Sequence, residues 1–189
     1  MPKQDFQILA KEAFAFLEIN FGFKLHLLTK DLLRYETQDV FVLIGYDSQR
    51  SYELSLDLGQ INSTTEQSFN FGEMLRSIKA PHDVASSYQV SSEQELKQFL
   101  DKLAQALQTY GAIFLKNDAI AFERLAQLRE RECKEYALER NLRAARAKAE
   151  VAWRSKNYEV VVATLEPFRA ALTATEIGKL EFSEKQTAG

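Results

Sequence analysis

The chain lacks several residue types that would narrow its chemistry. Its 189 residues include one cysteine, Cys133, which excludes an intramolecular disulfide and a zinc site built only from cysteines. No run of about 18 apolar residues occurs, so the sequence predicts no membrane span. Residues 1–14 include Asp5 and Glu12 and no long apolar segment, which predicts the absence of a secretory signal. These features favour a cytoplasmic protein.

Glycine and proline are scarce in the second half of the chain. None occurs among the 55 residues from Ala112 to Glu166, and these two residue types are the strongest breakers of regular structure. The first third, by contrast, shows the alternation of strands. The sequence therefore predicts an α+β fold, in which an N-terminal helix packs on a small antiparallel β-meander and a C-terminal helical region with one long helix follows. The predicted domains are residues 1–90 and 91–189.

The predicted meander begins after a helix. Residues 4–21 place apolar side chains at helical spacing, and Gly22 ends the helix. Four strands are predicted at residues 23–28, 32–37, 40–46 and 52–58. A loop (60–70), a short helix (71–78) and a connection (80–91) follow.

Two of these strands differ in their pattern. Residues 40–46 are apolar on both faces, which is typical of a central strand covered on both sides. Residues 52–58 alternate between apolar and polar side chains. This pattern predicts one buried face and one wet, acidic face that carries Glu53 and Asp57.

Two helices of the helical region are predicted to begin with a capping box. Ser92 and Glu95 form one predicted capping box, and Thr173 and Glu176 form another. Between them the pattern predicts a break at 116–118, a long helix towards Trp153 and a third helix at 158–171. The tail from Ser183 is predicted to fray.

Two resemblances concern the helical region. Lys116-Asn117 and Lys156-Asn157 precede similar apolar patterns 40 residues apart, which leaves both a true repeat and a chance agreement open. The segment Trp153–Val161 resembles the turn and second-helix start of a tetratricopeptide repeat, although Lys156 and Val161 replace the usual Gly and Ala. The resemblance implies a helical hairpin near residues 149–168.

A third resemblance covers the first half of the chain. The segments 42–47 (VLIGYD), 51–54 (SYEL) and 71–76 (FGEMLR) are similar to those of a loose group of small bacterial α+β proteins. Some proteins of this style act as immunity proteins against secreted toxins. The resemblance implies a protein-binding role and transfers no functional residue.

Residues suited to catalysis are scattered in the sequence. There is no Gly-rich phosphate loop, and His26 and His82 lie 56 positions apart without a metal-spaced neighbour. The sequence therefore predicts no catalytic, metal-binding or cofactor-binding residue, and the chain is interpreted as not being an enzyme. An enzyme of unrecognised type remains an alternative, and it requires a deep pocket lined by polar groups.

Charge and residue type point to a protein partner. Residues 1–90 carry 8 basic and 12 acidic side chains, a net charge of −4. Tyr46, Arg50, Tyr52, Glu53 and Asp57 are the candidate contact residues, because Tyr and Arg are common at interaction hot spots.

The long helix offers two further hypotheses. Its cations Arg140, Arg143 and Arg154 define an alternative nucleic-acid surface, which the interleaved glutamates disfavour. The small side chains of the same helix also offer a surface for a homodimer.

Overall fold

The computed structural model describes residues 6–61 and 66–188. It shows the predicted α+β fold. The predicted helix start at residues 4–5 and part of the predicted loop at 60–70 lie outside the described residues. The chain divides into two compact units, and the boundary falls within the long helix, between Arg129 and Glu130.

The first unit contains an antiparallel sheet and the helices that pack on it. The elements are α1 (Phe6–Phe21), β1 (Lys24–Thr29), β2 (Leu32–Glu36), β3 (Val40–Tyr46), β4 (Glu53–Gln60), β5 (Gln67–Asn70), α2 (Phe71–Ser77), β6 (Ser87–Gln89), α3 (Glu93–Tyr110), α4 (Ala112–Leu115) and the start of α5 (Ala119–Arg154). The strand order is β1-β2-β3-β4-β5, and β6 pairs with the first half of β4.

The register gives the sheet one face that belongs to the main hydrophobic core. Val42 lies opposite Leu58 on β4 and Tyr35 on β2, and all three side chains are buried in that core. Helices α1 and α3 contribute their apolar stripes to the same core. Because a slip of one residue would turn the buried side chains of β4 to the other face, the alternation of β4 favours this pairing.

The other face of β3 is covered by side chains of neighbouring strands. Phe41 is buried there, and its ring lies against Gly59, where an added Cβ would come within 2.7 Å of the ring. The guanidinium of Arg34 lies 4.4 Å from the centroid of the Phe41 ring. Arg34 also donates to Glu36 and Glu66 at 2.6 and 2.8 Å. The prediction that β3 is central is confirmed, since it lies between β2 and β4.

Two strands were not predicted. β5 lies in the predicted loop at 60–70, and β6 lies in the predicted connection at 80–91. They have four and three residues, and each has one aromatic side chain, Phe69 or Tyr88, among polar ones. Segments this short and polar show no recognisable alternation of apolar and polar residues. They form strands because they pair with β4.

The first unit extends beyond the predicted boundary at residue 90. Helix α3 buries Leu96, Leu100 and Leu107 in the same core as the sheet, and Phe122 of α5 joins them. The helices predicted as a separate region therefore complete the core of the sheet unit as far as Arg129.

A buried ion pair joins three elements of this unit. Arg129 donates from Nε to Glu73 Oε1 at 2.6 Å and also contacts the second carboxylate oxygen. The backbone N–H of Asn70 donates to the same carboxylate at 2.9 Å, as part of the capping box of α2. The Arg129 guanidinium lies 4.1 Å from the ring centroid of Phe69. Burial raises the pKa of Glu73, but the bonds from Arg129 and Asn70 outweigh this and hold it below its usual value.

The second unit consists of helices. It contains the remainder of α5, α6 (Tyr158–Leu165), a 3₁₀ segment (Glu166–Ala171) and α7 (Ala174–Thr187). The predicted single helix at 158–171 becomes 3₁₀ after Leu165, where Pro167 lacks the N–H that an α-helix needs. The prediction of a frayed tail was wrong, because α7 continues to Thr187 and Ser183 within it is fully buried.

Ion pairs link α7 to α5 in this unit. Arg146 donates to Glu176 at 2.6 Å, and Lys179 donates to Glu150 at 2.8 Å. These contacts lie over a small core that contains Ala149, Ala152, Val161, Leu165 and Leu180.

The two turns that suggested a repeat have the same geometry with an offset of 39 residues. Asn117 and Lys156 have φ of +57°, and the next residues, Asp118 and Asn157, cap α5 and α6 through their side chains. The buried side chains instead match at an offset of 40, as in Leu125 and Leu165. The similarity is therefore one of turn type, with the apolar patterns shifted by one residue.

We expect Tyr35→Phe to stabilise the first unit by about 1 kcal/mol. Tyr35 is fully buried, its hydroxyl has no hydrogen-bond partner, and burial raises its pKa to about 12. Removing an unsatisfied buried polar group removes its desolvation cost. Urea denaturation followed by circular dichroism measures the change. The control is Tyr136→Phe at an exposed position, and an equal or smaller stability than wild type would contradict the expectation.

We expect the second unit to lose stability as the pH falls from 4.5 to about 2. The bond from Arg146 is the main cause that lowers the pKa of Glu176 from 4.5 to about 2. Because this pKa is depressed in the folded state, its contribution is present above the unfolded pKa and disappears on acidification.

Fluorescence of Trp153, the sole tryptophan, reports this unit. Glu176→Gln should be about 1 kcal/mol less stable at pH 7 and less sensitive to pH in that window. Glu181→Gln, at an exposed position of the same helix, is the control. A wild-type pH profile in the Glu176 variant would refute this assignment.

Candidate protein-interaction site

The turn between β3 and β4 is organised by one carboxylate. Asp47 Oδ1 accepts the backbone N–H groups of Gln49 and Arg50 at 3.2 and 3.0 Å. Its Oδ2 accepts the backbone N–H of Ser51 at 3.2 Å and the Ser51 hydroxyl at 3.0 Å. These bonds, with that to the Ser51 backbone first, lower the pKa of Asp47 to about 2. The carboxylate of Asp47 is therefore ionised throughout the physiological pH range and can accept these hydrogen bonds.

This turn presents two side chains suited to protein recognition. Arg50 is exposed, and Tyr52 is 51% exposed. Tyr52 has φ of +53°, a left-handed conformation that a tyrosine rarely adopts. The N–H of Val90 donates to the Tyr52 carbonyl at 2.8 Å and the N–H of Asp47 donates to the Glu53 carbonyl at 2.9 Å. Both ends of the turn are thus held by the sheet.

The β1–β2 turn lies beside it. Ser48 donates from its hydroxyl to Asp31 Oδ1 at 3.2 Å, and the Tyr46 N–H donates to the Asp31 carbonyl at 2.9 Å. Leu28, at the end of β1, is 50% exposed. The two turns, residues 28–31 and 47–52, are together called the turn surface below.

Two other predicted contact residues, Tyr46 and Glu53, differ in their exposure. Tyr46 lies opposite Leu54, on the core face, and its ring centroid is 5.8 Å from that of Phe6. Burial is the main cause that raises its pKa. Glu53 is exposed at the start of β4 and adjoins Tyr52. Arg50, Tyr52 and Glu53 therefore adjoin one another in the turn, and Tyr46 lies close enough to Tyr52 for that residue to raise its pKa as well.

Asp57 departs from the predicted wet face. Its side chain is half-buried, and burial, followed by the charge of Glu73, raises its pKa. Arg129 opposes this shift. The acidic face of β4 is therefore wet at Glu53 but not at Asp57, because the ion pair between Glu73 and Arg129 lies near Asp57.

The cations of the nucleic-acid alternative lie along α5 among carboxylates. Arg143 lies 3.9 Å from Glu139, and Arg154 lies 3.1 Å from Glu150. Arg140 is exposed. Pairs of opposite charge at this spacing stabilise an exposed helix and reduce the net positive potential that phosphates require.

The side chains best suited to catalysis lie on different elements. His26 lies 3.2 Å from Glu36 on the sheet, and Cys133 is exposed on α5. Within residues 6–61 and 66–188, no group of three or more His, Cys, Asp or Glu side chains could hold a metal ion. No helix among these residues has the length and apolarity to cross a membrane.

We expect Asp47→Ala to loosen the turn surface without unfolding the sheet. The amides of Gln49, Arg50 and Ser51 lose their acceptor, so their hydrogen exchange should accelerate several-fold. Exchange measured residue by residue checks this. Asp39→Ala, at an exposed position in the β2–β3 turn, should leave these amides unchanged. Unchanged protection in the Asp47 variant would show that another contact holds the turn.

Comparisons with known proteins give no information on the function of this chain. No protein-family model, curated protein or solved structure matches the chain. The turn surface combines an ordered backbone with the exposed side chains of Arg50 and Tyr52.

Proposed function

We propose that this chain is a non-catalytic protein-binding protein that contacts its partner through the turn surface. The observation that carries the proposal is the set of hydrogen bonds to Asp47, which orders the turn while Arg50 and Tyr52 stay exposed. Interfaces concentrate their binding energy in a few Tyr, Trp and Arg side chains. An ordered turn that presents two of these types is suited to that role.

Preorganisation supports the proposal further. A flexible loop loses conformational entropy when it binds, which weakens the complex. Here the left-handed conformation of Tyr52 and its bond from Val90 fix the backbone before a partner arrives. Strain of this kind persists where the surrounding structure enforces it, and it is frequent at binding sites.

The partner proposed is a secreted toxin, neutralised in the cytoplasm by an immunity-type mechanism. The similarity of the segments 42–47, 51–54 and 71–76 to immunity-style proteins supports this class. The net charge of −4 in residues 1–90 favours a basic partner. Occlusion of the toxin by surface complementarity needs no catalytic group on this chain.

Affinity capture with matched variants tests the proposal. The wild-type chain, the double variant Arg50→Ala/Tyr52→Ala and the control Gln49→Ala serve as baits in extracts of the organism that encodes the chain. Any protein retained by the wild type is purified, and its Kd is measured for all three. We expect the double variant to weaken binding by about 30-fold or more, which corresponds to about 2 kcal/mol.

The control fixes the interpretation. Gln49 is an exposed residue of the same turn, so its truncation should leave the Kd within about twofold of wild type. A partner bound equally by all three baits would place the interface elsewhere and remove the turn surface. Capture of no protein under any condition would count against the protein-binding function itself.

A further inference from the structure

Strand β1 forms a free edge of the sheet. The strand order ends at β1, which pairs with β2 alone among the described residues. Such an edge leaves a row of backbone N–H and C=O groups without a partner, and these groups can pair with a strand of another molecule. With six residues, β1 is longer than β5 and β6, which have four and three. It is therefore the edge best suited to pairing.

The bonding pattern of β2 shows which way the backbone groups of β1 point. The N–H of Thr37, directly after β2, donates to the carbonyl of Val40 on β3 at 2.9 Å. Bonding direction alternates along an antiparallel strand, so Arg34, three positions earlier, bonds to β1 instead. Arg34 lies opposite His26. His26 therefore directs its backbone groups towards β2.

The neighbours of His26 direct their backbone groups away from the sheet. These neighbours are Leu25 and Leu27, and no hydrogen bond within the described part of the chain reaches their outward N–H and C=O groups. The carbonyl of Thr29, further along the edge, already accepts from Gln7 Nε2 at 3.1 Å. The unpaired groups are thus confined to the middle of β1.

The hydrophobic core is incompletely covered at this edge. Phe21 and Leu25 pack against the main core but remain half-buried. Leu28 is 50% exposed. A strand placed beside β1 would remove apolar surface of these side chains from water, which favours association.

Two charged side chains of α1 lie on the same side of the first unit. Gln7, Lys11 and Glu18 are four and eleven positions apart along the helix, so they share one stripe. Through Gln7 this stripe contacts β1. Neither Lys11 nor Glu18 has an ion-pair partner among the residues that the structure describes. Both charges are therefore available to a neighbour at the β1 edge.

Helix α1 runs antiparallel to β1. A short connection joins the end of α1 to the start of β1, and Gln7 at the start of α1 reaches Thr29 at the end of the strand. The point midway between Lys11 and Glu18 therefore lies near His26, in the middle of β1. A two-fold axis through His26 would pass near the centre of both elements.

We propose that two copies of this chain associate edge to edge through β1, about a two-fold axis at His26. Leu25 of one copy lies opposite Leu27 of the other, and because both have outward backbone groups, the two strands exchange N–H···O bonds. The same axis brings Lys11 of each copy towards Glu18 of the other. The result is one sheet that is continuous across both copies. This surface differs from the long-helix surface predicted for a homodimer, and it requires no partner at the turn surface.

Sedimentation and hydrogen exchange over a concentration series test the pairing of the strands. The full chain is studied from about 10 µM to about 1 mM, with a reductant that keeps Cys133 as a thiol. We expect a reversible equilibrium between monomer and dimer, and exchange of the Leu25 and Leu27 amides about fivefold or more slower at the highest concentration. The amide of Leu180, in the second unit, should not change. A monomer at every concentration, or association without protection of the two β1 amides, would overturn the proposal.

Charge reversal on α1 tests the two-fold arrangement. Lys11→Glu and Glu18→Lys each place like charges across the axis, and each should raise the Kd of the dimer about fivefold or more. The double variant Lys11→Glu/Glu18→Lys restores opposite charges, so its Kd should return to within about twofold of wild type. Glu12→Lys, at an exposed position outside the stripe, makes the same charge change as Glu18→Lys and should leave the Kd unchanged. Unchanged Kd values in both single variants, or no recovery in the double variant, would refute this arrangement.

Discussion

The ion pair between Glu73 and Arg129 joins three elements of the first unit, two of which are very short. β5 has four residues and α2 has seven, too few for either to be stable alone. Glu73 caps α2 and accepts from Arg129, whose guanidinium covers Phe69 of β5. A buried charge that loses its partner costs about 3–5 kcal/mol. The start of α5 is therefore held against the sheet by a contact between residues 56 positions apart.

The ion pair between Glu73 and Arg129 was not predicted from the sequence. Periodicity predicted α1 and strands β1–β4 because each has enough residues to show its pattern. It predicted neither β5 nor β6, whose structure comes from pairing with β4. Periodicity also predicted that Asp57 is exposed to solvent. The alternation of a strand does not show which other residues pack against its polar face. The ordered turn was different, since an aspartate followed by Ser-Gln-Arg-Ser is a local signal.

Tyr52 and Lys79 of the first unit both have a left-handed backbone conformation. Tyr52 lies in the turn between β3 and β4 with a half-exposed ring, and Lys79 follows the end of α2. In each case the surrounding structure enforces a backbone conformation that the side chain alone would avoid.

The exposed thiol of Cys133 on α5 has a practical consequence. A cysteine without a partner in its own chain can form a covalent link only with another molecule. Oxidation in aerated buffer can join two copies of the chain through a disulfide at this sulfur, and the product has twice the mass of the monomer. Any hydrodynamic measurement of self-association therefore needs a reductant, and a species that disappears on its addition reports oxidation rather than assembly.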